Sequence, residues 1–128
     1  MKLGYVILYV PDVRAAVAFY ERAFGLSQRM ITECGNFAEM DTGDTALAFA
    51  SEALLEGENL GYRPLRPGDA PPGAEIALVT QDVPAGLERA VAAGAALVKT
   101  PEDKPWGQTV AYVRDLHGFL VELCTPVG

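Results

Sequence analysis

The chain has 128 residues, a length typical of one domain with its own hydrophobic core. Half of the residues are hydrophobic, and 17 acidic residues against 10 basic ones give a net charge of −7. This acidity argues against nucleic-acid binding, which requires a basic surface. No apolar run approaches the ~20 residues that a membrane span needs, and the N-terminal segment lacks a signal-peptide cleavage pattern, so we expect a cytoplasmic protein.

The cysteine and histidine content limits the possible chemistry. Cys34 and Cys124 are too few for a disulfide scaffold and form no CxxC pair, so we expect buried free thiols. His117 is the single histidine, which excludes a histidine-rich metal site.

The first part of the chain is predicted to contain one strand, one helix and three further strands. Residues 2–10 alternate around β-branched and aromatic side chains, as strands do. Asp12 is a good helix N-cap, apolar residues recur at helical spacing after it, and Gly25 ends the helix. Turn-forming residues separate the predicted strands at 27–33, 36–42 and 45–51.

Residues 52–73 are rich in glycine and proline, which predicts a loop with at most one short turn. A loop of this length inside a compact domain is often functional, for instance as a lid.

The second part of the chain repeats the first. A strand is predicted at 75–80, and Asp82 caps a helix at 83–93 that ends at Gly94. Further strands are predicted at 95–99, 107–114 and 118–124, with a turn-rich loop, TPEDKPWGQ, before the second of them.

The repeat is visible in the letters themselves. YVILYVPDVRA at residues 5–15 aligns with EIALVTQDVPA at residues 75–85, an offset of 70 residues. The sequence therefore predicts an α+β fold of two tandem βαβββ modules in a single domain. The first module covers residues 1–51, the connecting loop residues 52–74 and the second module residues 75–128.

Three segments together resemble the vicinal-oxygen-chelate superfamily, which groups glyoxalase I, bleomycin-resistance proteins and extradiol dioxygenases. They are YVILYVPDVRAAVAFYERAFGL, EIALVTQDVPAGLERAVAAGA and PWGQTVAYVRDLHGFLVELCTP. The resemblance implies paired βαβββ modules that form a curved mixed sheet around a cavity, often in a homodimer. In metal-dependent members, a divalent cation is held by four side chains from the first and last strands of each module, usually His and Glu.

Strand alternation indicates which side chains occupy those four positions. The helix after the first strand must cover an apolar face, so we expect Val6, Leu8 and Val10 beneath it and the alternate residues on the cavity face. The same argument places Glu75 and Glu122 on the cavity face of the second module. Aligning TALAF with FLVEL makes Ala48 the counterpart of Glu122, so the four positions carry Tyr5, Ala48, Glu75 and Glu122.

Only Glu75 and Glu122 of these four side chains bind divalent metals well. Two carboxylates suit Mg²⁺, Mn²⁺ or Ca²⁺ completed by water or substrate, but they hold Zn²⁺, Ni²⁺ or Fe²⁺ poorly. We therefore favour a protein without a cofactor, although a divalent metal on these two residues stays open.

The interpretation we favour is a small-molecule-binding protein that sequesters a cationic or aromatic ligand, as bleomycin-resistance proteins do. Aromatic side chains suit such a ligand, and paired carboxylates call for a cation. The candidate ligand-binding residues are Tyr5, Ile7, Tyr9, Ala48, Glu75, Trp106 and Glu122.

Several alternatives stay open. The first is a metal-dependent lyase or isomerase of the glyoxalase type, or a dioxygenase-like enzyme. A proton-transfer enzyme that uses Glu75 and Glu122, and an interaction module with a filled interior, are two more. Glu75 and Trp106 also have simpler interpretations that involve no ligand. Glu75 could be a solvated residue at the start of its strand, and Trp106 could cap a sheet edge or lie in a subunit interface.

Overall fold

A computed structural model describes residues 1–127, which form two four-stranded mixed sheets and three helices. The elements in chain order are β1 (Tyr5–Val10), α1 (Val13–Phe24), β2 (Ser27–Ile31), β3 (Phe37–Asp41), β4 (Ala46–Ser51), α2 (Glu52–Gly57), β5 (Ile76–Val79), α3 (Val83–Ala92), β6 (Ala96–Asp103), β7 (Thr109–Arg114) and β8 (Leu120–Cys124). The strand orders are β1-β4-β3-β2 and β5-β8-β7-β6. The α+β fold of two βαβββ modules is confirmed, and both sheets are curved and open.

The chain divides into two compact units. The first unit contains residues 1–21 and 25–64, and the second contains residues 22–24 and the chain from residue 65 onward. Across residues 1–127, no helix combines the length and the apolar composition that a bilayer span requires.

In the first unit, α1 covers one face of the sheet. Asp12 Oδ1 accepts a hydrogen bond from the Ala15 N–H at 3.0 Å, which caps the helix as predicted. The Tyr20 ring packs against the Phe49 ring of β4 with centroids 4.9 Å apart, and both side chains are fully buried. Phe49 is the register partner of Leu8, and partners in a ladder share a face. The predicted helix-covered face of β1 is therefore confirmed at Leu8 and Val10, whereas Val6 at the start of the strand is 37% exposed and not covered.

The second unit is built in the same way around α3. Asp82 caps α3 with the same geometry, accepting from the Ala85 N–H at 3.0 Å. Val83 of α3 packs against Ala111 of β7 and Leu123 of β8, and the three are buried together. The partly buried side chains packed against this cluster are Phe24, Leu78 and Leu87. The alternate residues of β5, β7 and β8 therefore lie on the face away from α3.

The strands pair in equivalent register within the two sheets. β1 pairs in parallel with β4 so that Ile7 is opposite Ala48, and β5 pairs in parallel with β8 so that Ala77 is opposite Glu122. Ala77 follows Ile7 by 70 residues in the chain, and Glu122 follows Ala48 by 74 residues. Ala48 and Glu122 are therefore equivalent positions, as the short sequence match predicted.

Three predictions about local structure were wrong. The predicted loop after β4 begins with the helix α2, because Ser51 Oγ caps it through the Ala53 N–H at 3.2 Å and Leu55 is buried. β6 extends to Asp103, into the predicted loop, because β7 offers it backbone partners. Cys34 is exposed rather than buried, in the turn between β2 and β3.

Candidate functional site

The face of the first unit's sheet that α1 does not cover carries the predicted residues of β1. Tyr5 is 56% exposed and Ile7 is 40% exposed, while Tyr9 is half-buried. Ala48 lies opposite Ile7 on the same face and is completely buried. The face therefore presents apolar and aromatic side chains at β1, and its alanines are covered by their neighbours.

Tyr62 is an aromatic residue of this unit that the sequence analysis did not single out. Its ring lies 6.2 Å from that of Tyr9, with the two planes tilted by 48°. Tyr62 lies in the glycine- and proline-rich segment after α2, where strand alternation gives no information about side-chain direction. Only the path of the backbone brings it to Tyr9.

Glu39 is a second residue that the sequence analysis missed. It is the register partner of Ala48, so its carboxylate lies on the same face of the first sheet. Arg29 compensates it at 3.8 Å and also forms a salt bridge with Asp41 at 3.1 Å. The alternation of FAEMD, in which Ala38 and Met40 are buried, is a sequence signal that points to this orientation of Glu39.

The second unit has an acidic pair on the sheet face away from α3. Glu122 lies between Val121 and Leu123, which are buried on the α3 side, so its own side chain points the other way. Glu75 immediately precedes β5 and has the same parity as Ala77, the register partner of Glu122. The two glutamates therefore share one face, as the sequence predicted.

The carboxyl groups of Glu75 and Glu122 are close enough to influence each other's ionisation through a hydrogen bond and through their charges. Partial burial raises the pKa of Glu75, and the hydrogen bond and negative charge of Glu122 raise it further. Glu75 nevertheless remains exposed as a residue, so ligands can reach it. No salt bridge within residues 1–127 joins Glu75 or Glu122 to a basic side chain.

Tyr112 is the direct partner of Glu122. It is opposite Glu122 in the β7–β8 ladder, and its Oη donates a hydrogen bond to Glu122 Oε1 at 3.0 Å. Burial and this bond raise the pKa of Tyr112 to about 12, so the phenol stays protonated and keeps donating. Burial also raises the pKa of the neighbouring Cys124 thiol to about 11, helped by Glu122, which makes Cys124 a poor nucleophile.

Trp106 lies in the loop between β6 and β7 and is 61% exposed. Its Nε1 donates to Gln108 Oε1 at 2.6 Å, and Gln108 Nε2 donates in turn to the Thr125 carbonyl at 2.8 Å. This relay anchors the loop to the end of β8 and leaves most of the indole surface accessible. A role for Trp106 in ligand binding stays a prediction.

His117 has a structural setting in the turn between β7 and β8. It is buried, and its backbone N–H donates to Asp115 Oδ1 at 3.0 Å. The Gly118 N–H donates to the Asp115 carbonyl at 3.1 Å, which closes a β-turn over residues 115–118.

A groove of about 390 Å³ opens at the N-terminal end of α3. Its lining residues are Gln81, Asp82, Val83, Pro84, Pro101, Asp103, Thr109 and Thr125. Val83 belongs to the core beneath α3, so the groove lies on the α3 side of the sheet. The acidic pair lies on the opposite side and is not part of this groove.

The donor set does not fit a resident divalent metal of the kind that the superfamily resemblance implies. Of its four positions, Ala48 has no donor atom and Tyr5 offers only a phenol, which is a poor ligand for a divalent metal. The described residues contain no group of three His, Cys, Asp or Glu side chains placed to hold a metal ion. Glu75 and Glu122 alone leave most of a coordination shell unfilled.

The protein consists of two βαβββ units whose strands pair in the same order and register. In each unit, one face of the sheet is turned away from the helix, as in α+β proteins built from two such modules. The chain belongs to the Glyoxalase/Bleomycin resistance protein/Dioxygenase superfamily, whose family model matches residues 2–123. No curated protein matches the chain significantly.

Solved structures show the same fold. A glyoxalase-related enzyme from Fulvimarina pelagi is 23% identical with a TM-score of 0.80, over 99% of this chain and 92% of that one. A glyoxalase/bleomycin resistance protein/dioxygenase family enzyme from Burkholderia phytofirmans PsJN is 22% identical with a TM-score of 0.76, over 98% of both chains. TioX from Micromonospora sp. ML1 is 27% identical with a TM-score of 0.71, also over 98% of both chains.

Proposed function

We propose that this protein binds a small organic cation, without a metal ion, at the acidic pair formed by Glu75 and Glu122. The observation that carries the proposal is the placement of two neighbouring carboxyl groups on one sheet face without a basic partner in residues 1–127. Among the described residues, Glu122 interacts with Tyr112, Cys124 and Glu75, and none of these side chains is basic. Such a pair is unfavourable when both groups are ionised, and a bound cation removes the repulsion.

Apolar side chains of β5 and β8 lie on the same sheet face as the acidic pair. Ala77 and Val79 of β5 lie on the same face and are exposed, Val79 to 64%. Leu120 has the same parity as Glu122 on β8 and is half-buried. A ligand with one cationic group and an apolar body matches this surface better than a hydrated inorganic ion does. Contributions of Tyr5, Ile7, Tyr9 and Ala48 to the same ligand stay predictions, as do a homodimer and a cytoplasmic location.

Metal analysis and calorimetry test the proposal together. We expect purified protein to carry well under one equivalent of divalent metal and to bind organic cations in a calorimetric screen at pH 7. Glu122→Gln removes the charge but keeps the shape, so we expect it to weaken that binding by about tenfold or more.

Glu88→Gln is the matched control, because it removes the same charge from the exposed side of α3 in the same unit. It should leave binding unchanged. Near-stoichiometric divalent metal that disappears in Glu122→Gln would overturn the proposal in favour of a metal-dependent enzyme. A cation screen without any binding would also overturn it.

A further inference from the structure

Arg114 is the last residue of β7 and lies on the sheet face away from α3. The preceding residue, Val113, is completely buried on the α3 side, so Arg114 points to the other face, as Tyr112 does. The Nε atom of Arg114 donates a hydrogen bond to the Gly118 carbonyl at 2.8 Å, across the turn that leads to β8. This bond holds the side chain against the turn.

The outer part of the guanidinium group has no partner within residues 1–127. Its Nη2 atom is buried and forms no hydrogen bond, and no carboxylate forms a salt bridge with Arg114. A guanidinium group carries N–H donors on all three nitrogens, and a buried donor without an acceptor is unfavourable. The Nε bond therefore explains the position of the side chain but leaves Nη2 without an acceptor.

The first unit carries a compensated charge at the equivalent position. Glu39 and Tyr112 are equivalent residues, and Asp41 follows Glu39 by two residues as Arg114 follows Tyr112. Asp41 Oδ1 accepts a hydrogen bond from Arg29 Nη2 at 3.1 Å, so its charge has a partner inside the protein. Arg114 has no such partner in the described part of the chain, which points to an acceptor supplied from outside.

The guanidinium group can lie this close to the turn because residue 118 is a glycine. A Cβ on Gly118 would be 3.0 Å from Arg114 Nη2 and 2.9 Å from the Arg66 carbonyl oxygen. The Arg114 side chain as a whole is half-buried, so a small outward movement exposes the edge formed by Nη1 and Nη2. Leu120, opposite Arg114 in the β7–β8 ladder, is half-buried on the same face and offers an apolar contact to a ligand bound there.

We propose that Arg114 binds the carboxylate group of a small organic acid through Nη1 and Nη2. A carboxylate matches the planar guanidinium fork, because it accepts two parallel charge-assisted hydrogen bonds. Its single negative charge also suits this face better than a doubly charged phosphate, which Glu122, diagonal to Arg114 across the ladder, would repel more strongly. The inference goes beyond the proposed function and does not depend on it, because different side chains bind the cation and the carboxylate.

Isothermal titration calorimetry with sodium benzoate at pH 7 tests the inference. Benzyl alcohol is the neutral comparison, since it has a similar shape without the charge. We expect the native protein to bind benzoate about tenfold or more tightly than benzyl alcohol, and more tightly than inorganic phosphate.

Two variants of Arg114 and one matched control assign the binding to this side chain. Arg114→Gln should remove the preference for benzoate, and Arg114→Lys should keep only part of it, because lysine retains the charge but lacks the fork. Arg63→Gln removes the same charge from an exposed residue of the connecting segment, so it should bind benzoate as the native protein does.

Arg114→Gln also loses the Nε bond to the turn, so a second measurement uses the native protein alone. Sodium benzoate should raise the midpoint of thermal unfolding above that in sodium chloride of the same ionic strength, because a ligand of the native state stabilises it. Absence of benzoate binding by the native protein, equal binding by folded Arg114→Gln, or tighter binding of phosphate would overturn the inference and leave the proposed function intact. Benzoate binding together with a cation screen that shows no binding would overturn the proposed function alone.

Discussion

The two units share a backbone register but place their carboxylates on different strands and with different partners. In the first unit, Glu39 of β3 lies opposite Ala48 and is compensated by Arg29 at 3.8 Å. In the second, the position equivalent to Glu39 is Tyr112, and the carboxylate is moved to Glu122 on β8. The comparison shows that duplication fixes where side chains point, whereas side-chain identity decides whether a carboxylate on this face has a basic partner.

The largest expected effect tests whether the two helix-covered cores contribute equally. Phe49 and Leu123 are equivalent and buried, but only Phe49 packs against an aromatic ring of its helix, 4.9 Å from Tyr20. We expect Phe49→Ala to lower the free energy of unfolding by about 4 kcal/mol and Leu123→Ala by about 3 kcal/mol. Urea denaturation measures both, and a loss below about 1 kcal/mol for Phe49→Ala would show that the first core is not packed as described.

The next effect compares two glycines in the turns that precede the last strand of each unit. Gly43 and Gly118 have φ of +95° and +103°, so alanine is strained at both. A Cβ on Gly118 would also lie 2.9 Å from the Arg66 carbonyl oxygen, whereas nothing lies within 4 Å at Gly43.

We expect Gly118→Ala to cost about 3 kcal/mol and Gly43→Ala about 1.5 kcal/mol, the difference being the steric overlap. The measurement is the midpoint and slope of urea unfolding. Equal costs would mean that the segment around Arg66 does not contact this turn.

The smallest expected effect is the change in stability at pH 7 when one glutamate of each unit is replaced by glutamine, and it has opposite signs in the two units. The pKa of Glu75 is raised above its ordinary value of 4.5, so the folded protein binds this proton more tightly than the unfolded chain does. The associated stability is fully present below about pH 4.5 and is lost as the pH rises through the raised pKa. Glu75→Gln should therefore stabilise the protein at pH 7 by about 0.5 kcal/mol or less, a small value because the group is exposed.

Glu39→Gln is the counterpart in the first unit. It removes one of the two carboxylate partners of Arg29, so we expect a loss of about 0.5 kcal/mol at pH 7. Thermal unfolding of both variants between pH 4 and pH 8 separates the signs. The stabilisation by Glu75→Gln should disappear toward pH 4, and a stabilisation that persists there would contradict the electrostatic explanation.

The sequence was sufficient to predict the two βαβββ modules, because the periodicity of strands and helices and the capping of helices are local properties of the chain. Asp12 and Asp82 cap their helices as predicted, and the alternation of residues 5–10 correctly indicated that Leu8 and Val10 lie on the helix side of β1. Prediction from the sequence failed where backbone pairing between strands overrides the local preference of the residues for a loop. Glu102 and Asp103 read as loop residues but pair with Val110 and Thr109, and the register shift between Lys99 and Glu102 accommodates Pro101.

The candidate site shows the same division. Alternation alone predicted that Glu122 faces away from the helix and that Glu75 shares its face, because the side-chain period of a strand is two. It did not identify Tyr112 or Glu39, whose partners belong to other strands, nor Tyr62, which lies in a segment without regular period. The sequence by itself determined which way each strand residue points. Only the tertiary structure decided which side chains meet, since hydrogen bonds and charge compensation depend on distances between residues far apart in the chain.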